Sequence, residues 1–156
     1  MGNLTFTDYG PSGIAFLDTL DASTSCTDVL TLVAPMARVL FSHDVGDSGP
    51  YQGIVIRSNT YQQMANLNAQ NIDVQAPAGI IIAGGTTLNP CPGTGSVLWE
   101  NPATLNGAVS VISPSGTVTV NGLNGDGSLN VCTSNFNALS APIDKLGFLE
   151  VIGAVS

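Results

Sequence analysis

Hydrophobic and polar residues alternate along much of this chain, most clearly from Gly107 to Gly122, GAVSVISPSGTVTVNG. Two alternating runs flank Ser113-Pro114-Ser115-Gly116. Pro114 presets φ for the second position of a turn, and Gly116 tolerates positive φ without a Cβ clash. An antiparallel hairpin folded there sets Val109 opposite Val120 and Val111 opposite Val118. The four valines then share one face, and Ser110, Thr117 and Thr119 the other.

The same grammar recurs. Short extended segments are predicted at Leu4 to Thr7, Ile14 to Leu20, Tyr51 to Ser58, Ile72 to Gln75 and Ile80 to Ala83. Others follow at Val97 to Glu100, Leu129 to Cys132 and Phe148 to Val155. Val29 to Val33 and Ala37 to Phe41 read as two strands parted by Pro35, with a helix over 27–41 as the alternative because Thr27 or Asp28 could cap it. Residues 59–71 are the best helix candidate, with a loop or a polar strand as competing readings. Gly84 to Gly95 and Gly122 to Ser128 read as loop and turn, and 133–147 as irregular.

About ten short strands with turn signals every 8–12 residues or so predict an all-β, single-domain antiparallel β-sandwich or jelly-roll-like barrel with extended termini. Residues 1–12 form an N-terminal arm or edge strand, and 13–156 the β-sandwich domain. No repeat of about 20–50 residues is read, which argues against a solenoid or propeller.

Composition narrows the function. Of 156 residues, 44% are hydrophobic but only 9% are charged, where about 25% is usual. Mean hydropathy is +0.31. No apolar run is long enough for a spanning helix, and the 18 glycines and 9 prolines follow no collagen period. A surface largely covered by neighbouring subunits remains. The net charge is −8, with Arg38, Arg57 and Lys145 the only cations, so a phosphate-binding footprint is excluded and membrane attachment disfavoured. No secretory signal is read in residues 1–12, so the protein is made without one or had one removed. Phe6 breaks the myristoylation pattern. Cys26, Cys91 and Cys132 match no zinc spacing. They read as small buried hydrophobes, or as one disulfide plus an odd thiol, with Cys91 exposed in a stiff Pro-Cys-Pro loop.

Chemistry is scarce. His43 is the only histidine, and Ser42-His43-Asp44 reads as a solvated loop, since adjacent side chains on an extended segment diverge. Asn124, Asp126 and Gly127 mimic part of a calcium loop whose first ligand and closing glutamate are missing. Gly84-Gly85 and Gly93-Thr94-Gly95 lack the Lys and helix of a phosphate cradle. Trp99-Glu100 supplies one acid and one aromatic of a glycosidase pair. No catalytic residue, cofactor or metal ligand is assigned, and the chain is read as a non-enzyme.

Low charge, Gly/Asn/Thr-rich turns, short strands and no export signal resemble small virion proteins, single jelly-roll capsid proteins and phage head-decoration proteins among them. The resemblance spans the chain and is architectural, so it transfers no functional residue. It implies a shell-forming or shell-clamping subunit, made in a host cytoplasm and located in the virion. Its partners would be copies of itself and another shell protein, with no nucleic acid and no membrane insertion. The expected joints are the terminal segments: Leu4 and Phe6 at one end, and Phe148, Leu149, Val151, Ile152 and Val155 at the other. The alternatives are an extracellular filament or adhesin subunit joined by strand exchange, which a Cys26–Cys132 disulfide would favour, and a small carbohydrate-binding module or hydrolase.

Overall fold

A computed structural model describes residues 3–84, 86–89, 95–139 and 142–155. Every regular element among them is a strand. The first seven are β1 (Leu4–Thr7), β2 (Ile14–Phe16), β3 (Val29–Phe41), β4 (Tyr51–Gln63), β5 (Leu67–Gln75), β6 (Ile80–Ala83) and β7 (Thr86–Asn89). They are followed by β8 (Ser96–Trp99), β9 (Ala103–Asn106), β10 (Ala108–Val120), β11 (Leu123–Asn124), β12 (Ser128–Ala138) and β13 (Phe148–Val155). All belong to one sheet, and every pairing in it is parallel.

The chain winds as a three-faced β-solenoid. On face A, Phe6, Leu32, Ile56, Val74, Trp99 and Val120 stack in register. On face B the column is Ile14, Val39, Tyr61, Ile80, Ala103, Leu123 and Ile143. On face C it is Leu20, Val45, Leu67, Leu88, Val111, Val131 and Val151. Each column steps through seven rungs among the described residues, face A reaching its seventh at Ala138 of β12, which pairs with Val120. A rung takes 26 residues from Phe6 to Leu32, 18 from Ile56 to Val74, and 20 from Val111 to Val131. Inward positions of the middle rungs are buried, including Leu32, Ile56, Trp99, Val111 and Val131. Stacked rungs share one continuous core that a single rung could not make.

The antiparallel sandwich or jelly roll is therefore overturned, and with it the rejection of a solenoid. Ser113–Gly116 turns a corner and is not a hairpin tip: residues before it lie on face C and residues after it on face A. Val109, Val111, Val118 and Val120 still point inward, but from two walls. The corner is held between rungs. The Ser113 hydroxyl donates to the Gly95 carbonyl below at 2.5 Å, and the Gly116 carbonyl accepts from Thr133 Oγ1 above at 2.8 Å. A Cβ on Gly116 would collide with the Gly95 carbonyl oxygen.

Three local readings change too. Val29–Phe41 is one strand that bends from face A to face B, and its ladder breaks between Ala34 and Arg38. Pro35 sits in that gap, where its missing N–H costs no ladder bond. Residues 59–71 are the end of β4, a corner and the start of β5. Tyr61 and Gln63 point inward at period two, and the Tyr61 hydroxyl donates to Gln63 Oε1. Part of 133–147 is strand, since β12 runs to Ala138. Within residues 1–12, read as an N-terminal arm or edge strand, β1 pairs with β3 as part of the first rung.

Candidate assembly surfaces

The residues expected to form joints fall on three distinct surfaces. Leu4 and Phe6 belong to the first rung. They point inward at its open end and are each 40% exposed. Phe6 packs edge-on against Phe16 at 5.4 Å, and Phe16 stacks on Phe41 at 5.4 Å. An aromatic ladder thus closes one end of the core without covering it. Leu149 and Val151 point inward from the last rung on face C and pack partly against the core. Val155 pairs with Phe136 at the start of a further turn of face A.

Phe148 and Ile152 do something else. They alternate with the inward pair and so point outward, 57% and 62% exposed. Sequence reasoning grouped all five residues of this strand as one edge. The structure separates Leu149 and Val151, at an end surface, from Phe148 and Ile152, on a flat outer face.

That outer face spans β10, β12 and β13. Its columns, read from rung five to rung seven, are Ala108–Ser128–Phe148, Ser110–Asn130–Glu150 and Ile112–Cys132–Ile152. A shallow groove runs over the last two columns. Ile112 and Cys132 were not expected there. Their signal was the alternation itself, since the neighbours Val111 and Val131 are buried. The border with face B is bare: Gly107, Gly127 and Gly147 stack one above another, with Gly147 N–H donating to the Gly127 carbonyl at 2.8 Å.

Cys132 is a free thiol, whereas Cys26 is disulfide-bonded. A Cys26–Cys132 bridge is thereby excluded. Cys91 and most of its loop lie outside the described residues, as do Gly85 and the Gly93-Thr94 pair.

Charge gathers at one place on face A. Arg57 makes a two-pronged pair with Asp73, Nη1 to Oδ1 at 3.0 Å and Nη2 to Oδ2 at 2.5 Å, and approaches Glu100 at 3.5 Å. The Asp73 hydrogen bonds push the guanidinium pKa up against the opposing effect of burial. Beside it lies a small depression lined by Pro35, Arg57, Ser58, Gln75 and Pro77.

His43 is exposed at a corner. Its neighbour Asp44 is occupied in accepting the Asn66 backbone N–H at 2.9 Å. Asn124 lies in β11, and Trp99 is an inward core residue with Glu100 beyond its strand. No group of three or more metal-ligating side chains gathers among the described residues. No helix among the described residues is long and apolar enough to cross a membrane. No protein-family model, curated protein or solved structure matches this chain.

Proposed function

We propose that this chain is a structural subunit of a particle of viral type, acting through assembly with copies of itself and a shell partner. The observation that carries the reading is the state of the end rungs. Leu4 and Phe6 at one end and Ile143 at the other are inward-column residues left 39–40% exposed, beside strand edges whose backbone groups have no neighbour on one side. A solenoid needs a cap or a continuation at such ends. The low charge supports the same reading, because few ions have to be desolvated when such faces are covered.

Native mass by light scattering, followed by negative-stain microscopy, tests it. Closed rings or shells that persist in reductant support the reading, and a 15.9 kDa monomer at all concentrations overturns it. A filament joined by strand addition is the second reading. It is favoured by the edge of β13 and by the Cys26 disulfide, a bond typical of oxidising compartments. Open fibres of indefinite length in the same images would select it.

A further inference from the structure

We propose that the outer face of β10, β12 and β13 is a self-complementary interface that pairs two copies of this chain about a two-fold axis lying along β12. The proposal rests on the assembly reading above and names one joint within it.

A two-fold axis in the plane of the interface and parallel to the strands reverses the order of the rungs but keeps each position along the strand. Residues of β10 then face β13 of the second copy, and β12 faces itself. Ala108, the smallest side chain of its column, comes opposite Phe148, the largest. Ser110 comes opposite Glu150, so a hydroxyl meets the only charge in the three columns. Ile112 comes opposite Ile152. On the axis Ser128, Asn130 and Cys132 each meet their own copies, and the first two can both donate and accept. The two Glu150 carboxylates stay apart. With both side chains reaching into the gap between the sheets, the offset of two rungs of about 4.8 Å still holds them roughly 10 Å from one another, beyond the screening length of about 8 Å at physiological salt.

The alternatives lack this match. An axis on β13, or one running across the strands, brings Glu150 against Glu150. The three exposed apolar residues Ile112, Phe148 and Ile152 are all covered in the β12 arrangement, and the bare glycine border leaves room for the partner. Three strands of about five residues cover roughly 240 Å² per copy, well below the ~800 Å² of a standard interface. The pair is therefore weak and concentration-dependent on its own, a joint that adds to others.

Cys132 reports on the axis. Sheets about 10 Å apart hold the two Cys132 Cα atoms too far apart for a direct disulfide, which needs less than about 7 Å, but within reach of a short linker. The experiment treats the full chain with a two-carbon bis-methanethiosulfonate. Each Cys132 thiolate displaces one methanesulfinate and forms one S–S bond. We expect cross-linked dimer whose yield rises with protein concentration. Ser110→Lys, which sets an ammonium opposite Glu150, should raise the yield several-fold at low salt. Ser128→Lys, which sets two ammonium groups against each other on the axis, should lower it several-fold. Both positions are on the outer surface, and melting curves check that the fold is kept. Equal yields in all three proteins, or no dimer, overturn the proposal. If Ser128→Lys loses the cross-link while large end-joined assemblies persist, the pairing stands as one joint among others. Large assemblies whose cross-linking ignores both substitutions reject the pairing and leave the assembly reading intact, and a monomer throughout rejects both.

Discussion

The first three rungs and the last three turn their corners by different chemistry. In the first three, carboxylates hold the loops. Asp8 accepts the N–H groups of Gly10 and Gly13 at 2.8 and 2.6 Å. Asp21 accepts those of Ser48 and Gly49 at 3.0 and 3.3 Å. Asp28 accepts the Ser23 hydroxyl at 2.7 Å and two backbone N–H groups. In the last three rungs, glycines let backbone stack on backbone, and the Ser113 and Thr133 hydroxyls satisfy carbonyls between rungs. Both devices supply partners to backbone groups that the ladder skips. A carboxylate reaches across a loop of variable length, so early rungs run long and uneven. A glycine stack demands one tight path, so the late face C rungs repeat every 20 residues, as Val111, Val131 and Val151 do. The contrast makes one half sensitive to pH, whereas added bulk is resisted at tight corners in both, since a Cβ on Gly13, Gly46 or Gly49 would also meet a backbone carbonyl oxygen, of Arg38, Asn68 or Ala22.

Bulk should have the largest effect. Trp99→Ala removes the biggest buried side chain from the column shared by both halves and is expected to cost about 3–5 kcal/mol by denaturant titration. Gly127→Val drives a Cβ into the carbonyl oxygens of Gly107 and Leu105, at a cost of about 3 kcal/mol. Hydrogen exchange should show its damage centred on residues 103–139. Gly53→Ala, on a wall strand and away from any corner, is the contrasting change. Its Cβ would lie 3.7 Å from Val29, an ordinary contact, and the cost should stay under about 1 kcal/mol. Equal losses at Gly53 and Gly127 would mean that corner glycines are no more crowded than wall glycines.

Much of the wall was legible in the sequence, and the direction of winding was not. Alternation at Val109, Val111, Val118 and Val120 says that these side chains point one way. A hairpin and a solenoid corner satisfy that equally, because alternation carries no information about which strand lies next door. The repeat was present but faint. GAVSVI from Gly107, GSLNVC from Gly127 and GFLEVI from Gly147 align at a 20-residue period: a corner glycine, then inward residues at the third and fifth positions. The earlier rungs hide that period because their carboxylate-held corners vary in length. Outer-face residues such as Ile112 and Cys132 could be placed by parity once the rungs were known. Their grouping with Phe148 and Ile152 could not, since it depends on register between rungs.

Acid should separate the halves next. The Ser23 hydroxyl, helped by the Thr24 and Ser23 N–H groups, holds the Asp28 carboxyl below its usual range against the opposing effect of burial. A lowered folded pKa stabilises above the unfolded value of about 3.9 and loses that contribution as pH falls through the folded value. Below about pH 4, exchange protection should therefore fall first in residues 18–52. Asp28→Asn should lower the melting temperature at pH 7 and flatten its decline in acid. Base acts on the same half. Burial, with Asp21 and Asp28 nearby, pushes the Tyr51 phenol up to about 12. A raised pKa leaves stability intact below about pH 10, and it is lost between about 10 and 12. The Tyr51 hydroxyl is buried without a hydrogen-bond partner among the described residues, so Tyr51→Phe should gain about 1 kcal/mol and move alkaline unfolding to higher pH. First losses in residues 103–139 at either extreme would contradict the assignment of charge to the early corners.

The smallest effect belongs to the ion pair between the two halves. Arg57 on β4 reaches Asp73 on β5 and Glu100 at the end of the next rung, and both partners in the closer pair have side chains about one-third exposed, 33% and 32%. Water screens such a pair, and side-chain ordering offsets much of its attraction. Arg57→Met keeps the stem packed beside Pro35 and Pro77 and removes the charge. It should cost about 0.5 kcal/mol, and about 1 M salt should erase the difference from the parent chain. A salt-insensitive loss above about 2 kcal/mol would mean that Arg57 acts as a buried joint. The solenoid would then divide into three stretches held by carboxylates, an arginine and glycines.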